Sequence, residues 1–421
     1  MPPFQRLVID EAHNIEKNAT EFFSDDYARS ALLRHIVRLT KKNTGGKSNL
    51  LEFIASYVPD AKTIDRLLDE IEVLKLKVDT LDDMLLMEDS MGRVIYVAFM
   101  RSRNTSGLLL RKQQSEIIAP LLPLSRDIAE CGLRMSALAK RIVEEQNVPQ
   151  ESHPLVRRFQ VYINRINSLT SVLGKFADIA AWGDDIHWLD TESMGRKGNT
   201  SEVHIKITPL SVAGLLKEAV YSKLNTVVCT SATLNLEDDF QFWSSRVGLP
   251  IQGKAFLRSA FASPFDYSRN LMLLTPMDAP EFSERAPEEY IDYVAQSIGD
   301  AVLASGGGAL VLFTSYAMMK EIHDRLESSF KKAGLEVACQ GDADRYTLLQ
   351  EFKNAPDSSL FATDSFWEGV DAPGDTLRLV VIVKLPFKVP TEPIYRARHE
   401  KIDAEGGSGF FQLALPEATM K

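Results

Sequence analysis

The sequence predicts an α/β fold built on mostly parallel sheet and interrupted by a largely helical insertion. Three observations predict it. Short apolar runs, the first two rich in β-branched residues, end in polar turns at 7–9, 226–230 and 360–362, the pattern of buried strands. From residue 271 onward such runs (271–274, 309–313, 337–338, 360–362, 379–383) alternate with helical segments, the rhythm of parallel strands joined by crossover helices. Between the first run and the later ones, residues from about 16 to 199 read as mainly helical.

The first strand, 7–9, ends in Asp10-Glu11-Ala12-His13-Asn14, which puts two carboxylates and an imidazole at a strand's carboxyl edge. In open α/β sheets nucleotides bind at that edge. Nucleotide chemistry there uses one acid to hold Mg²⁺, usually through water, and a second to orient or deprotonate the attacking water. Asp10 suits the first role and Glu11 the second. Acidic pairs at strand ends also cap following helices, so the box does not decide alone.

In the insertion, Ile64, Leu67, Leu68, Ile71, Leu74, Val78, Leu81 and Leu85 recur among charges, predicting a long amphipathic helix over 64–86. A hairpin is expected at 93–99, helices at 117–145 and 156–181, and a polar, glycine-containing loop at 193–201. Residues 203–207 alternate like a strand and 212–224 read as helix. The run 226–230 leads into Ser231-Ala232-Thr233. The strands before Asp10 and Ser231 are expected in one sheet, with the helical domain extruded between them.

At 421 residues, with 45% hydrophobic and 25% charged residues, the chain suits two or three soluble domains. No apolar stretch reaches the eighteen or so residues of a membrane span, and the N-terminus lacks the apolar core of a signal peptide. Cys131, Cys229 and Cys339 form no Cys-x-x-Cys pair, which argues against a disulfide framework or a metal site built by this chain alone. A cytoplasmic location is expected. The formal net charge of −10 discriminates little, because nucleic-acid motors bind in local grooves on acidic bodies.

As an ordered set, these motifs resemble the DinG/XPD-like superfamily-two DNA helicases, in particular their bacterial branch. The resemblance spans nearly the whole chain. It rests on Val8-Ile9-Asp10-Glu11-Ala12-His13-Asn14, on Thr230-Ser231-Ala232-Thr233-Leu234 and on Leu310-Val311-Leu312-Phe313-Thr314-Ser315. Its most telling part is Phe366-Trp367-Glu368-Gly369-Val370-Asp371-Ala372-Pro373-Gly374, followed by Lys384-Leu385-Pro386-Phe387. It implies RecA-like motor domains: a partial first one at 1–16 and 203–245, a helical arch-like insertion at 17–202, and a second one at 246–421. It implies ATP and Mg²⁺ as cofactors and single-stranded and forked DNA as partners; the oligomeric state is left open, with a monomer the expectation.

By the same resemblance Asp10 and Glu11 bind the metal and activate water, and His13 links the nucleotide site to the moving parts. Ser231, Ala232 and Thr233 couple hydrolysis to strand movement, as do Gly369 and Asp371. Thr314, Ser315, Ser365 and Glu368 contact DNA, the last two from the cleft between motor domains.

The departures are two. No Gly-x-x-x-x-Gly-Lys-Ser/Thr occurs; Gly46-Lys47-Ser48 has Lys41 where the first glycine belongs and reads as a polar loop. The segment that supplies an arginine finger normally follows a run like 413–418. Both ends are therefore expected to be cut inside the motor, and an iron–sulfur cluster is allowed only for a longer parent. A partial first motor sheet is expected to expose an edge and an apolar face. Three readings stay open: part of an ATP-dependent helicase acting in DNA repair or replication, a short non-catalytic nucleic-acid- or partner-binding module, and a chain completed in trans.

Simpler structural accounts compete for several residues. Trp367 is expected to pack rather than stack on DNA, and Arg101, Arg103, Arg111, Lys112, Arg157 and Arg158 to lie on solvated faces. Lys384 and Lys388 suit phosphate contact better than most. His187, His204 and His323 lack partners at metal-ligand spacing.

Overall fold

A computed structural model describes residues 4–41, 49–58, 61–90, 118–145, 154–194, 200–236, 239–281, 287–372, 374–390 and 392–420. The hairpin expected at 93–99, the basic residues Arg101, Arg103, Arg111 and Lys112, and Gly46-Lys47-Ser48 lie outside them. The chain divides into two compact units. The first is Met1–Asn235, Asp239–Leu257 and Val389–Gln412; the second is Leu236–Asp238, Arg258–Lys388 and Leu413–Lys421. Residues 389–412, on the motif-based division part of the second motor domain, thus pack within the first unit.

In chain order the first unit begins with β1 (Arg6–Ile9), α1 (Ile15–Phe23), β2 (Asp25–Tyr27), α2 (Arg29–Thr40), α3 (Leu50–Ala55) and α4 (Ala61–Ser90). It continues with α5 (Leu121–Glu145), α6 (Pro154–Ala177), β3 (Ile186–Met194), β4 (Thr200–Thr208), α7 (Ala213–Ala219), β5 (Thr226–Cys229) and α8 (Gln241–Arg246). The predicted long helix is α4, and its stripe Leu67, Ile71, Leu74, Val78, Leu81 and Leu85 is buried. It shares one hydrophobic core with Ile128, Met135 and Ile142 of α5, Phe159, Ile163 and Ile166 of α6, and Ile205 of β4. At Gly132 on α5 a Cβ would meet Thr170 Oγ1 of α6 at 1.9 Å, so only glycine lets these helices approach so closely.

Two small sheets flank this core. β1 pairs in parallel with β5, Val8 opposite Val228. Val8 is 69% and Val228 44% exposed, so the sheet presents an apolar face. The strand expected at 203–207 does not join it: β4 pairs antiparallel with β2 and β3, because Val203, Ile205 and Ile207 point into the helical core. Of the loop expected at 193–201, residues 193, 194, 200 and 201 lie in the ladder, with Met194 opposite Thr200, and 195–199 lie outside the described residues.

The second unit holds α9 (Tyr267–Asn270), α10 (Pro287–Ser305), β6 (Ala309–Leu312), α11 (Tyr316–Lys332), β7 (Val337–Cys339), α12 (Arg345–Asn354), β8 (Ser359–Ala362) and β9 (Leu379–Ile382). α13 (Pro393–Ala404) then returns to the first unit, and α14 (Leu415–Thr419) closes the second. The sheet order is β7-β8-β6-β9, and every pair is parallel. Val311 and Phe361 face α10 and α11, while Leu310, Leu312, Leu360 and Ala362 face α12. Helices cover both faces, as a parallel sheet requires. The strand expected at 271–274 is absent: Leu271, Met272, Leu273 and Leu274 are exposed and in no ladder, since an apolar run becomes a strand only where a neighbour accepts its hydrogen bonds.

Candidate functional site

The first cluster sits where β1 and β5 end. The ladder continues past both strands: Thr230 N–H donates to the Ile9 carbonyl and Ala12 N–H to the Thr230 carbonyl, each at 2.9 Å. This brings Asp10, Glu11 and His13 beside Ser231. Thr230 Oγ1 donates to Asp10 Oδ1 at 2.7 Å. That hydroxyl, and then the Glu11 backbone N–H, hold the Asp10 carboxyl below its ordinary pKa.

Glu11 adopts φ 49°, ψ 45°, making it the one non-glycine residue with positive φ among those described. A left-handed non-glycine residue is strained, and such strain persists where surrounding contacts over-determine it. They do so here. His13 Nδ1 lies 2.7 Å from Ser231 Oγ and 3.3 Å from Glu11 Oε2. Asn14 Nδ2 lies 2.8 Å from His13 Nε2. With the amide donating, Nε2 accepts and Nδ1 carries the proton toward Ser231, an assignment made from the network. Thr233 N–H also reaches Ser231 Oγ, at 3.4 Å. Ala232 is exposed and reaches no partner through its methyl side chain.

Sequence reasoning missed three residues that hold this cluster. Trp243, buried on α8, donates its indole N–H to the Ala12 carbonyl at 3.0 Å. Arg246 Nε donates to Glu16 Oε2 at 2.6 Å, and Arg398 of α13 meets Glu16 Oε1 at 3.1 Å. Arg398 also donates to the Leu210 carbonyl and to Thr20 Oγ1, each at 3.0 Å. A glutamate in the first turn of α1 is thus shared by two guanidinium groups.

The second unit gathers the other sequence-predicted residues at the carboxyl ends of β6 and β8. Thr314 and Ser315 follow β6 and are exposed. The Ser315 hydroxyl caps α11, accepting from Met318 N–H at 3.4 Å. Ser365, Glu368, Gly369 and Asp371 follow β8. Gly369 has φ +70°, a conformation glycine adopts without strain.

Two residues brace this loop. Gln340 Oε1 accepts from Thr363 N–H at 2.7 Å and Thr363 Oγ1 at 2.9 Å, while its Nε2 donates to Ser365 Oγ at 3.3 Å. Arg345 donates to the carbonyls of Ser365 and Glu368, both at 3.0 Å, over the Phe366 ring. Their only sequence signal was position after β7. Trp367 packs as expected, half-buried on the α12 side of the sheet, its indole N–H directed at the Phe313 carbonyl. Lys388 pairs with Glu417 at 2.9 Å, and Lys384 lies over the Tyr290 ring.

Comparison with known proteins fits this arrangement. Residues 298–421 match the family model described as a helicase C-terminal domain. DinG of Photobacterium profundum, an ATP-dependent DNA helicase by name, is 29% identical over 98% of this chain and 58% of its own length. Over nearly its whole length the chain is similar to DinG-like helicases. Bacillus subtilis DinG, named a 3′-5′ exonuclease, is 25% identical over all of this chain and 45% of its own length. The Escherichia coli helicase YoaA is 37% identical over 51% of this chain and 32% of its own length. This DinG-like chain therefore spans about half the length of the curated relatives it matches, and the α/β class expected from its motifs is the one its parallel sheets display.

Proposed function

We propose that this chain is part of an ATP-dependent DNA helicase that couples hydrolysis to translocation on single-stranded DNA and to duplex unwinding, in repair or replication. The observation that carries the reading is the His13–Ser231 hydrogen bond, 2.7 Å across 218 residues of sequence. It joins the acidic box to the Ser-Ala-Thr segment, the contact through which a change at the nucleotide could reach the moving parts.

The residues fit a magnesium-bound nucleotide. Asp10 is an exposed carboxylate kept ionised by the Thr230 hydroxyl, suited to hold the ion through water. Magnesium there supplies charge neutralisation to the phosphates. Glu11, with an exposed carboxylate, orients water and takes its proton. His13 reports the state of Glu11 to Ser231, being in reach of both. On this reading Thr314, Ser315, Ser365 and Glu368 meet the DNA backbone, and Gly369 and Asp371 act near nucleotide and DNA together. The same reading has the protein work in the cytoplasm, as a monomer, on single-stranded and forked DNA.

The 421 residues contain no Gly-x-x-x-x-Gly-Lys-Ser/Thr, so the proposal makes turnover depend on a phosphate loop from outside them. The chain alone is expected to show little ATPase. Joined behind the upstream region of the Photobacterium relative, it is expected to hydrolyse ATP faster with single-stranded DNA, and Glu11→Gln to abolish that turnover. A folded fusion without DNA-stimulated turnover overturns the proposal. Robust Mg²⁺-dependent turnover by the chain alone, abolished by Glu11→Gln, refutes the dependence on an outside loop.

A further inference from the structure

Two helices of the insertion carry a charge pattern that the motor reading does not use. Neither α2 nor α6 contains an Asp or Glu, in a chain of formal net charge −10. The two pack on one another. Arg34 and Arg38 lie one turn apart on α2, and Arg158, Tyr162 and Arg165 recur on one face of α6 at i, i+4 and i+7. The faces meet: the Arg38 guanidinium lies 5.9 Å from the Tyr162 ring centroid, and the His35 ring lies 6.0 Å from it.

All four arginines are exposed, and among the described residues none of them forms an ion pair with a carboxylate. α3, which packs on both helices, brings one acid, Glu52, whose carboxylate is engaged in the capping box on Asn49. Burial together with the charges of Arg165, Arg38 and Arg34 pushes the His35 imidazole below its ordinary pKa, which keeps it uncharged among them at neutral pH.

A solvated surface normally mixes both signs. Like charges gathered without acids repel one another and focus a positive potential, so the cluster costs stability unless a polyanion meets it. Arg158 and Arg165 stand about 10 Å apart along α6 at 1.5 Å per residue, too far for one phosphate to satisfy both. The half-buried Tyr162 ring lies between the helices beside Arg38 and His35, an aromatic group of the kind on which bases stack.

We propose that this face of α2 and α6 is a phosphate-backbone site for single-stranded DNA, formed by Arg34, Arg38, Arg158 and Arg165 with Tyr162 as a stacking platform. It rests on the reading above only in taking the polyanion to be DNA. It acts through charge and stacking, so it tolerates any base sequence, and it works without nucleotide.

The test is fluorescence anisotropy of a labelled oligo-dT with the full 421-residue chain, titrated between 50 and 200 mM salt without ATP. Each phosphate contact contributes about −0.7 to the slope of log affinity against log salt. Replacing all four arginines by glutamine is therefore expected to flatten the slope by about 3, and the lost contacts amount to roughly a fiftyfold difference in salt response over that range. The four Arg→Lys replacements are expected to keep most of the slope, and Tyr162→Leu to weaken binding about fivefold or more. Circular dichroism confirms that each variant is folded. An unchanged slope in the folded glutamine variant overturns the proposal. So does competition by phosphatidylglycerol vesicles or polyglutamate that matches unlabelled oligonucleotide at equal charge. Because no nucleotide is present, an inactive motor leaves this result standing.

Discussion

Glu16 is the place to test whether the acidic box and α13 form one mechanical body. Its side chain is 16% exposed, and those of Arg246 and Arg398 are 18% and 13%, so all three charges are largely out of water. Removing one member of such a group leaves the remaining charges desolvated, which costs about 3–5 kcal/mol. Arg398 retains the Leu210 carbonyl and Thr20 hydroxyl, and Arg246 lies over the Phe242 ring. These contacts put Glu16→Ala at the low end, about 3 kcal/mol, and Glu16→Gln, which keeps one acceptor, at about 1–2 kcal/mol. Urea denaturation followed by tryptophan fluorescence reads this unit, because Trp182, Trp188 and Trp243 belong to it and only Trp367 to the other. Arg398→Ala is expected to be non-additive with Glu16→Ala by more than about 1 kcal/mol and to speed amide exchange across Pro393–Ala404. A coupling below about 0.5 kcal/mol would mean that the shared carboxylate does not anchor α13, and the tether falls.

Three further outcomes follow from the same geometry. Glu11→Gly, by relieving the left-handed backbone, is expected to raise stability by about 1 kcal/mol while removing the carboxylate; a lower urea midpoint would show that Glu11 is not strained. Gln340→Ala and Arg345→Ala each remove hydrogen bonds to the Thr363–Gly369 loop and are expected to speed its amide exchange about tenfold, leaving α11 unchanged; equal exchange sinks the bracing role. His187 is buried against Trp182, its ring centroid 4.1 Å away, and burial lowers its pKa to about 4, against a hydrogen bond with the Asp185 carbonyl. Its folded pKa lies below the unfolded value near 6.5, so its contribution is complete above that pH and is lost as pH falls toward 4. The loss reaches about 3 kcal/mol. His187→Phe is expected to flatten that part of the stability profile, and an unflattened profile would place the acid sensitivity elsewhere.

What the sequence made legible was whatever repeats or ends locally. The stripe from Ile64 to Leu85 announced α4, and the runs at 309–313 and 360–362 announced central strands. The acidic box announced its own strand end. The Leu271–Leu274 run failed because its apolarity matches a strand while its hydrogen bonds find no partner among the described residues. The strand at 203–207 was real but its sheet was not foreseen: alternation fixes which face is buried, not which neighbour buries it. Trp243, Arg246, Gln340, Arg345 and Arg398 were illegible for a related reason. Each acts through contacts to side chains or backbone carbonyls distant in sequence, and such contacts leave no periodic trace.

The box itself shows how a strained residue is kept in place at a distance. Glu11 is held in its left-handed conformation from both sides of the turn, by Thr230 gripping Asp10 and the Ala12 N–H, and by Trp243 gripping the Ala12 carbonyl. Every one of these partners, and Ser231 as well, comes from the stretch between residues 230 and 243. The whole helical insertion lies between that stretch and the box, yet none of these contacts passes through it. The insertion can therefore vary in sequence and length without disturbing the carboxylates, provided that it returns the chain to β5 in register with β1. Moving that register by one residue would take Thr230 from Asp10 and Ser231 from His13 together. The parallel pairing of Val8 with Val228, more than any residue of the box, decides whether the cluster forms.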